Sequence, residues 1–175
     1  MVSLRDHKKD KILNKQRGNI LVMFTIGLFA LIAMAALALD GGHLLLNKSR
    51  LQNIADAAAL HAAKTLDEGG SHADAIDAVE NIINLNLDHG ENVEIKDALD
   101  ISAIKVDFLV SPDPSHSTTN NDPRYVRVEI PSLTLNNFLA DIMSFSKNVS
   151  ATALAGPSAD PSTIVLYHVP GSHDS

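Results

Sequence analysis

One uninterrupted apolar stretch constrains this chain more than any other feature. Residues 19–39 contain no charged side chain over 21 positions. A helix rises about 1.5 Å per residue, so this stretch reaches about 30 Å, the hydrocarbon thickness of a bilayer. A helix also satisfies its own backbone hydrogen bonds in lipid, which an isolated strand cannot do. The stretch therefore predicts a single transmembrane helix.

Charge differs sharply between the two parts of the chain. Residues 1–39 hold six Lys and Arg against two Asp, whereas residues 40–175 hold eight Lys and Arg against 19 Asp and Glu. Under the positive-inside rule, the basic N-terminal tail lies in the cytoplasm and the acidic remainder lies across the membrane. An acidic domain repels phosphate backbones, so we expect no nucleic-acid partner.

Two other interpretations of the apolar stretch stay open. Small residues at 33, 35, 36 and 38 are acceptable to a signal peptidase, although the stretch exceeds the usual apolar region of about 7 to 15 residues in a cleaved signal. The second interpretation is a buried helix of a soluble domain. With only 4% aromatic residues, the rest of the chain has few large side chains with which to bury such a helix. We expect a retained membrane anchor.

Helical periodicity continues beyond the apolar stretch. An apolar residue recurs at every seventh position, namely Leu37, Leu44, Leu51 and Ala58. Alanines crowd the turns after residue 54, so a neighbouring helix or sheet can approach the backbone closely. Gly41-Gly42 could kink or loosen the helix at the lipid surface. Gly69-Gly70 predict a C-terminal cap, so we expect one long helix that ends near Glu68.

The remaining residues have the pattern of a small α+β unit. Behind the candidate N-cap Ser71, residues 72–88 carry an apolar stripe at helical spacing, namely Ile76, Val79, Ile82, Ile83 and Leu87. Alternation over 101–110 and 125–130 predicts two paired strands, and 148–155 predicts a third. We expect Pro131 to end the second strand and 133–145 to form an amphipathic helix. The fold class predicted is α+β, in which the long N-terminal helix packs on a small antiparallel sheet with two shorter helices.

Two polar segments are harder to assign. Residues 111–123 are rich in Pro, Ser and Asn, which is typical of an exposed loop. In the tail 156–175, residues 163–169 are rich in the β-branched and aromatic residues typical of strands, and Pro and Gly lie close on both sides of them. This part of the tail could be a short edge strand, a partner-binding segment or a poorly ordered terminus.

A set of residues around the apolar stretch carries a family resemblance. Arg17-Gly18 precede the stretch and Asp40-Gly41 follow it. A denser motif comes next: Arg50, Leu51, Gln52, Asn53, Ala55, Asp56, Ala57, Ala58, Ala59 and Leu60. The pattern resembles the N-terminal region of the TadG-like family of Flp pilus-assembly (tight adherence) proteins over residues 17–66, with a weaker echo at 149–155. The resemblance implies a pilin-like fold and a bacterial envelope protein that assembles or anchors pili used for cell adhesion.

The resemblance also implies a location, a layout and partners. We expect a single-pass inner-membrane protein with a cytoplasmic tail (1–18), a transmembrane helix (19–39), a periplasmic helix extension (40–68), a small α+β domain (69–155) and a C-terminal tail (156–175). The expected partners are the lipid bilayer and other Tad/Flp pilus-assembly proteins or pilins. The helix residues expected to make protein contacts are Asp40, Arg50, Leu51, Gln52, Asn53, Ala55, Asp56, Ala58 and Leu60.

A leader-cleavage site is a separate expectation. Pilin-like leaders are cut after a glycine that precedes the apolar helix, and Gly18-Asn19 fits that position. Typical substrates carry glutamate at the fifth mature residue, where this chain has Met23. An uncleaved anchor is therefore expected. The alternative is a minor pseudopilin that is cleaved after Gly18 and incorporated in the filament.

Motifs for catalysis are not evident in the sequence. The eight histidines do not fall at metal-ligand spacing, and no phosphate-binding glycine loop or nucleophile elbow occurs. With no cysteine, disulfides, thiolate metal sites and a cysteine nucleophile are excluded. We expect no enzyme activity, no cofactor and no small-molecule substrate. A membrane-anchored extracytoplasmic enzyme or solute-binding domain remains the alternative from another functional class.

Overall fold

A single long helix dominates the computed structural model. The structure describes residues 10–113, 123–136, 147–157 and 163–167, with side chains from Asn19 onward. Helix α1 comprises Asp10–Asp67. Gly41 and Gly42 lie within it, so the expected kink or loosening there does not interrupt the helix.

Helix α1 ends in a Schellman motif. The Gly70 N–H donates to the Thr65 carbonyl oxygen at 2.9 Å, and the Gly69 N–H donates to the Leu66 carbonyl oxygen at 3.1 Å. Gly69 has a φ of 89°, in the left-handed region where a side chain is unfavourable. The predicted cap at Gly69-Gly70 is confirmed.

Two shorter helices follow, α2 (His72–Leu87) and α3 (Val93–Ala98). Single 3-10 turns, Gly90–Asn92 and Ile101–Ala103, come before and after α3. Helix α2 begins with a capping box in which Ser71 accepts from the Asp74 N–H and Asp74 accepts from the Ser71 N–H. The Ser71 hydroxyl and backbone hydrogen bonds hold the pKa of Asp74 below its ordinary value. The N-cap predicted at Ser71 is therefore confirmed.

The buried face of α2 differs in one respect from the predicted stripe. Val79, Ile83 and Leu87 are buried as expected, but Ile76 is exposed. Ala75 and Ala78 are buried instead. Small side chains on this face allow α2 to pack close against α1.

Four antiparallel strands form a meander in the order β1-β2-β3-β4. They are β1 (Lys105–Leu109), β2 (Tyr125–Leu135), β3 (Lys147–Pro157) and β4 (Ile164–Tyr167). The predicted pairing of the first two strands is confirmed, with Val106 opposite Val128. The first strand is shorter than predicted because residues 101–103 form a 3-10 turn. Of the alternatives for the tail, the structure has a short edge strand, β4.

Strand β2 does not end at Pro131, which corrects the prediction. Ile130 pairs with Ala151 and Leu133 pairs with Val149, so β2 has one more residue than β3 across this interval. The extra residue makes a bulge, where a residue without an N–H is tolerated, and Pro131 also lies beyond the last β1 partner. Residues 133–135 are therefore strand, not the start of a helix. The rest of that predicted helix, 137–145, lies outside the described residues.

The core lies between the helices and one face of the sheet. Helix α1 packs over β2, β3 and β4, and α2 packs alongside it. The ring of His72, the first residue of α2, stacks on Phe108 of β1 with 4.2 Å between centroids. Alternate residues of β2 point into this core, and Val126, Val128 and Ile130 are fully buried. The predicted α+β class, with the long helix covering one face of the sheet, is confirmed.

Four further segments about which the sequence raised expectations lie outside the described residues. They are the basic tail before residue 10, residues 114–122 of the predicted loop, and the parts of the C-terminal tail at 158–162 and 168–175.

The close approach of Tyr125 to Gly156 generates a first prediction. A Cβ placed on Gly156 would lie 2.2 Å from Cδ1 of the Tyr125 ring, because the ring packs directly on the glycine backbone of the neighbouring strand. Gly156→Ala should lower the free energy of unfolding by about 1–3 kcal/mol through overpacking. Urea unfolding followed by circular dichroism in detergent micelles measures this.

Gly42→Ala is the matched control, because nothing lies within 4 Å of a Cβ placed there and alanine favours a helix interior. In a Tyr125→Ala background, the cost of Gly156→Ala should largely disappear. An equal loss in both backgrounds would contradict the explanation.

Candidate functional site

A buried ion pair lies where the apolar stretch of α1 ends. The Lys147 ammonium, on the first residue of β3, donates to Oδ1 of Asp40 at 3.0 Å. Each of the two residues is only 6% exposed. Asp40 is the residue that directly follows the uncharged stretch 19–39. The pair therefore ties the start of β3 to α1 at the end of the stretch.

His43 extends this pair into a chain of hydrogen bonds. The Lys147 ammonium lies 3.3 Å from Nδ1 of His43, and Nε2 of His43 lies 2.7 Å from Oε2 of Glu94. An ammonium can only donate, so Nδ1 accepts and the ring proton is on Nε2, from which it is donated to the carboxylate. Asn47 lies 2.9 Å from the same Nε2, but that nitrogen cannot accept while it donates. The Asn47 amide donates instead to Oε2 of Glu94 at 3.1 Å.

Glu94 joins three elements of the fold. Its Oε2 accepts from α1, and its Oε1 accepts from the Asn136 backbone N–H, just after β2, at 2.6 Å. Helix α3, which carries Glu94, is held to the α2–α3 connection by a Lys96–Asp88 hydrogen bond of 2.7 Å. That bond and the accompanying ion pair lower the pKa of Asp88 and raise the pKa of Lys96. We refer to Asp40, His43, Asn47, Glu94 and Lys147 as the junction cluster.

A polar groove lies one turn farther along α1. Arg50 reaches across to the α2–α3 connection, where its guanidinium donates to the backbone carbonyl and the carboxylate of Glu91. The groove is open, has a volume of about 440 Å³ and is lined by Arg50, Asn53, Asn86 and His89 among others. Two residues of the predicted contact motif, Arg50 and Asn53, therefore lie on one surface.

Gln52 and Asp56 connect α1 to the sheet. The Gln52 amide donates to Oδ1 of Asp56 at 2.7 Å and to the backbone carbonyl of Thr152 at 3.0 Å. Thr152 lies two residues before Leu154, which forms the last described pair between β3 and β4 with Tyr167. The Gln52 side chain thus gives the Thr152 carbonyl a hydrogen-bond partner at a point of β3 beyond the described pairing with β4.

The other predicted contact residues divide into buried and surface positions. Leu51, Ala55 and Ala58 are completely buried in the core, and Leu60 packs against it. Asn53 is exposed. Gly18 and Asn19 lie in the first part of α1, far along the chain from the junction cluster.

Chemically, the junction cluster holds parts of the fold together. Donors and acceptors alternate along the chain from Lys147 through His43 to Glu94. Within the described ranges, no group of three or more His, Asp or Glu side chains is arranged to hold a metal ion. The described contacts therefore assign the cluster a positioning role between α1, α3 and β3.

Sequence reasoning identified Asp40 but missed the rest of the junction cluster. One signal was present, because His43 and Asn47 follow Asp40 by three and seven residues and so lie on the same helix face. Farther along α1, the same face of the helix is the buried apolar stripe. Polar residues on such a face indicate a polar partner. Nothing in the local pattern pointed to Glu94 or Lys147.

The fold and the site define a class of protein. It is an α+β domain built on the C-terminal half of a long helix, and the N-terminal half of that helix is apolar and exposed. The helix is the one element in the described part of the chain that is long and apolar enough to cross a membrane. Residues 18–65 match a family model described as "Putative Flp pilus-assembly TadE/G-like". The resemblance predicted from the sequence is confirmed for this segment, which coincides with α1 from Gly18 to Thr65. No curated protein and no solved structure matches the chain.

The buried ion pair generates a second prediction. Lys147→Met leaves the Asp40 carboxylate buried without its ammonium, which should cost about 3–5 kcal/mol of unfolding free energy. The double variant Asp40→Leu/Lys147→Met should cost clearly less than Lys147→Met, since it removes both charges. Urea titration of the full chain in detergent micelles measures both.

The control is the exposed pair Lys64–Glu68, whose nitrogen and oxygen are 3.7 Å apart. Lys64→Met should cost less than about 1 kcal/mol. Equal costs for Lys64→Met and Lys147→Met would refute the structural importance of the buried pair.

Proposed function

We propose that the chain is a membrane-anchored component of Flp (tight adherence) pilus assembly that acts through protein contacts. The observation that carries the proposal is the position of the family match. It covers a single helix, α1, whose residues 20–39 are apolar and almost all exposed, whereas Leu51, Ile54 and several alanines are buried under the domain. One helix thus has a surface suited to lipid and a surface that holds a folded domain.

The proposed layout follows from this division of α1. Residues 19–39 cross the inner membrane, the basic residues before them stay in the cytoplasm, and the α+β domain lies in the periplasm. Residues 40–68 continue the same helix into that domain. Gly18-Asn19 stays uncleaved, because Met23 occupies the position where a cleaved pilin-like chain carries glutamate.

The expected partners are other Tad/Flp pilus-assembly proteins or pilins. Most of the contact motif is engaged within the chain, since Leu51, Ala55 and Ala58 are buried and Gln52 bonds to β3. The groove beside Asn53 is the part of the motif region that stays accessible, and its lining is polar. Polar, open surfaces of this kind suit a protein partner more than an apolar small molecule. Enzyme activity forms no part of the proposal.

A crosslinking experiment tests the protein partner. A photoreactive amino acid at Asn53, in cells that assemble the pilus, should capture another pilus-assembly protein or a pilin, identified by mass spectrometry. The same residue placed at Glu80, exposed on α2, is the control for nonspecific capture. Identical capture from both positions, or none from Asn53, would argue against the groove as a contact surface.

The intact mass of the membrane-extracted protein tests the anchor. We expect residues 1–18 to be retained, because the acid required by pilin-type processing is missing at Met23. A mature chain that begins at Asn19 would support the alternative of a cleaved minor pseudopilin. A chain that begins after Ala35 or Ala38 would show a secreted protein and contradict anchoring.

A further inference from the structure

The outward surface of α1 stays free of charge beyond the stretch 19–39. Asp40 does not interrupt it, because its carboxylate faces Lys147 and is almost completely buried. The next outward positions are the exposed Gly41 and Gly42 and the side chains of Leu45 and Leu46, which are 69% and 49% exposed. Lys48 and Ser49 are the first exposed polar side chains after them.

The length of this uncharged surface is greater than the hydrocarbon core requires. Residues 19–39 already span about 30 Å, and residues 40–46 add about 10 Å at 1.5 Å per residue. The headgroup regions add roughly 10–15 Å to the hydrocarbon thickness, divided between the two leaflets. One headgroup layer is therefore about 5–8 Å thick, so the extra turns of α1 are long enough to cross it.

The described residues of the domain cover one side of these turns. His43 and Asn47 face Glu94, and Asp40 faces Lys147, so the junction cluster occupies the inner side. Its charged groups are turned away from the outward surface and are bonded to one another. At the same end of the domain, Val93 is 52% exposed next to Glu94.

We infer that the lipid headgroup layer covers Leu45 and Leu46, so that the domain sits directly against the bilayer with the junction cluster at its base. The inference rests on the proposed membrane anchor. Continuity with the lipid-facing surface of residues 20–39 favours lipid over a separate protein partner, because no charged or polar side chain separates the two surfaces. Exposed leucines in water would be unfavourable by comparison.

Single-cysteine variants test the inference in the full chain, which has no cysteine of its own. Leu45→Cys and Leu46→Cys carry an environment-sensitive fluorophore in phosphatidylethanolamine–phosphatidylglycerol vesicles that contain lipids with a nitroxide near the headgroup. Ser49→Cys, exposed and polar one turn farther out, is the matched control. Leu31→Cys reports the centre of the span.

The labels at positions 45 and 46 should show blue-shifted emission and several-fold stronger quenching by the nitroxide lipids than the label at 49. If these two labels behave like the label at 49 while the label at 31 lies in lipid, the inference is wrong and the anchor stands. If the label at 31 is also in water, the anchor and the inference both fail. A disulfide dimer of the unlabelled Leu45→Cys variant, without lipid quenching of the labelled form, would assign the surface to a second copy and overturn the inference.

Discussion

Close packing of the alanine-rich half of α1 determines the arrangement of the rest of the domain. Ala55, Ala58, Ala59 and Ala62 have no exposed surface, and their small side chains let the sheet and α2 approach the helix backbone. Larger residues on α1 would hold these elements apart. The sheet can then cover one side of the helix with β2, β3 and β4, while α2 takes another. A helix that is otherwise apolar and exposed thus becomes the centre of a folded unit.

The transition between the two halves of α1 requires a different kind of contact. Near Asp40 the helix leaves a surface suited to lipid and enters the protein, and polar groups replace alanines on its inner face. Burial of Asp40 and Lys147 is tolerated because they pair, and His43 and Glu94 extend the pair to α3. Removing two charges from water is costly, so such a pair contributes more to a defined arrangement than to net stability. The junction cluster therefore sets how the domain attaches to the helix.

Much of the fold could be predicted where local chemistry decides it. The alternation of Val126, Val128 and Ile130 correctly predicted a strand with one buried face, and Ser71 correctly predicted the start of α2. The error at Pro131 has a physical cause. The bulge after Ile130 shifts the buried positions from 126, 128 and 130 to Leu133 and Leu135, so the apolar spacing across Pro131 no longer matched a single strand and favoured a helix. The exposed Ile76 was missed because periodicity alone cannot show that the buried face of α2 includes Ala75 and Ala78 instead.

By itself, the sequence determined the elements whose physics is local. The uncharged residues 19–39 dictate a helix of membrane length, and Gly69-Gly70 end that helix because glycine alone adopts the left-handed conformation without strain. Tertiary structure alone decided which polar residues meet. Asp40 and Lys147 are 107 positions apart, and they come together only because β3 packs on α1. No local periodicity or spacing predicts this contact, since it results from the strand pairing of the sheet and the packing of β3 on α1 acting together.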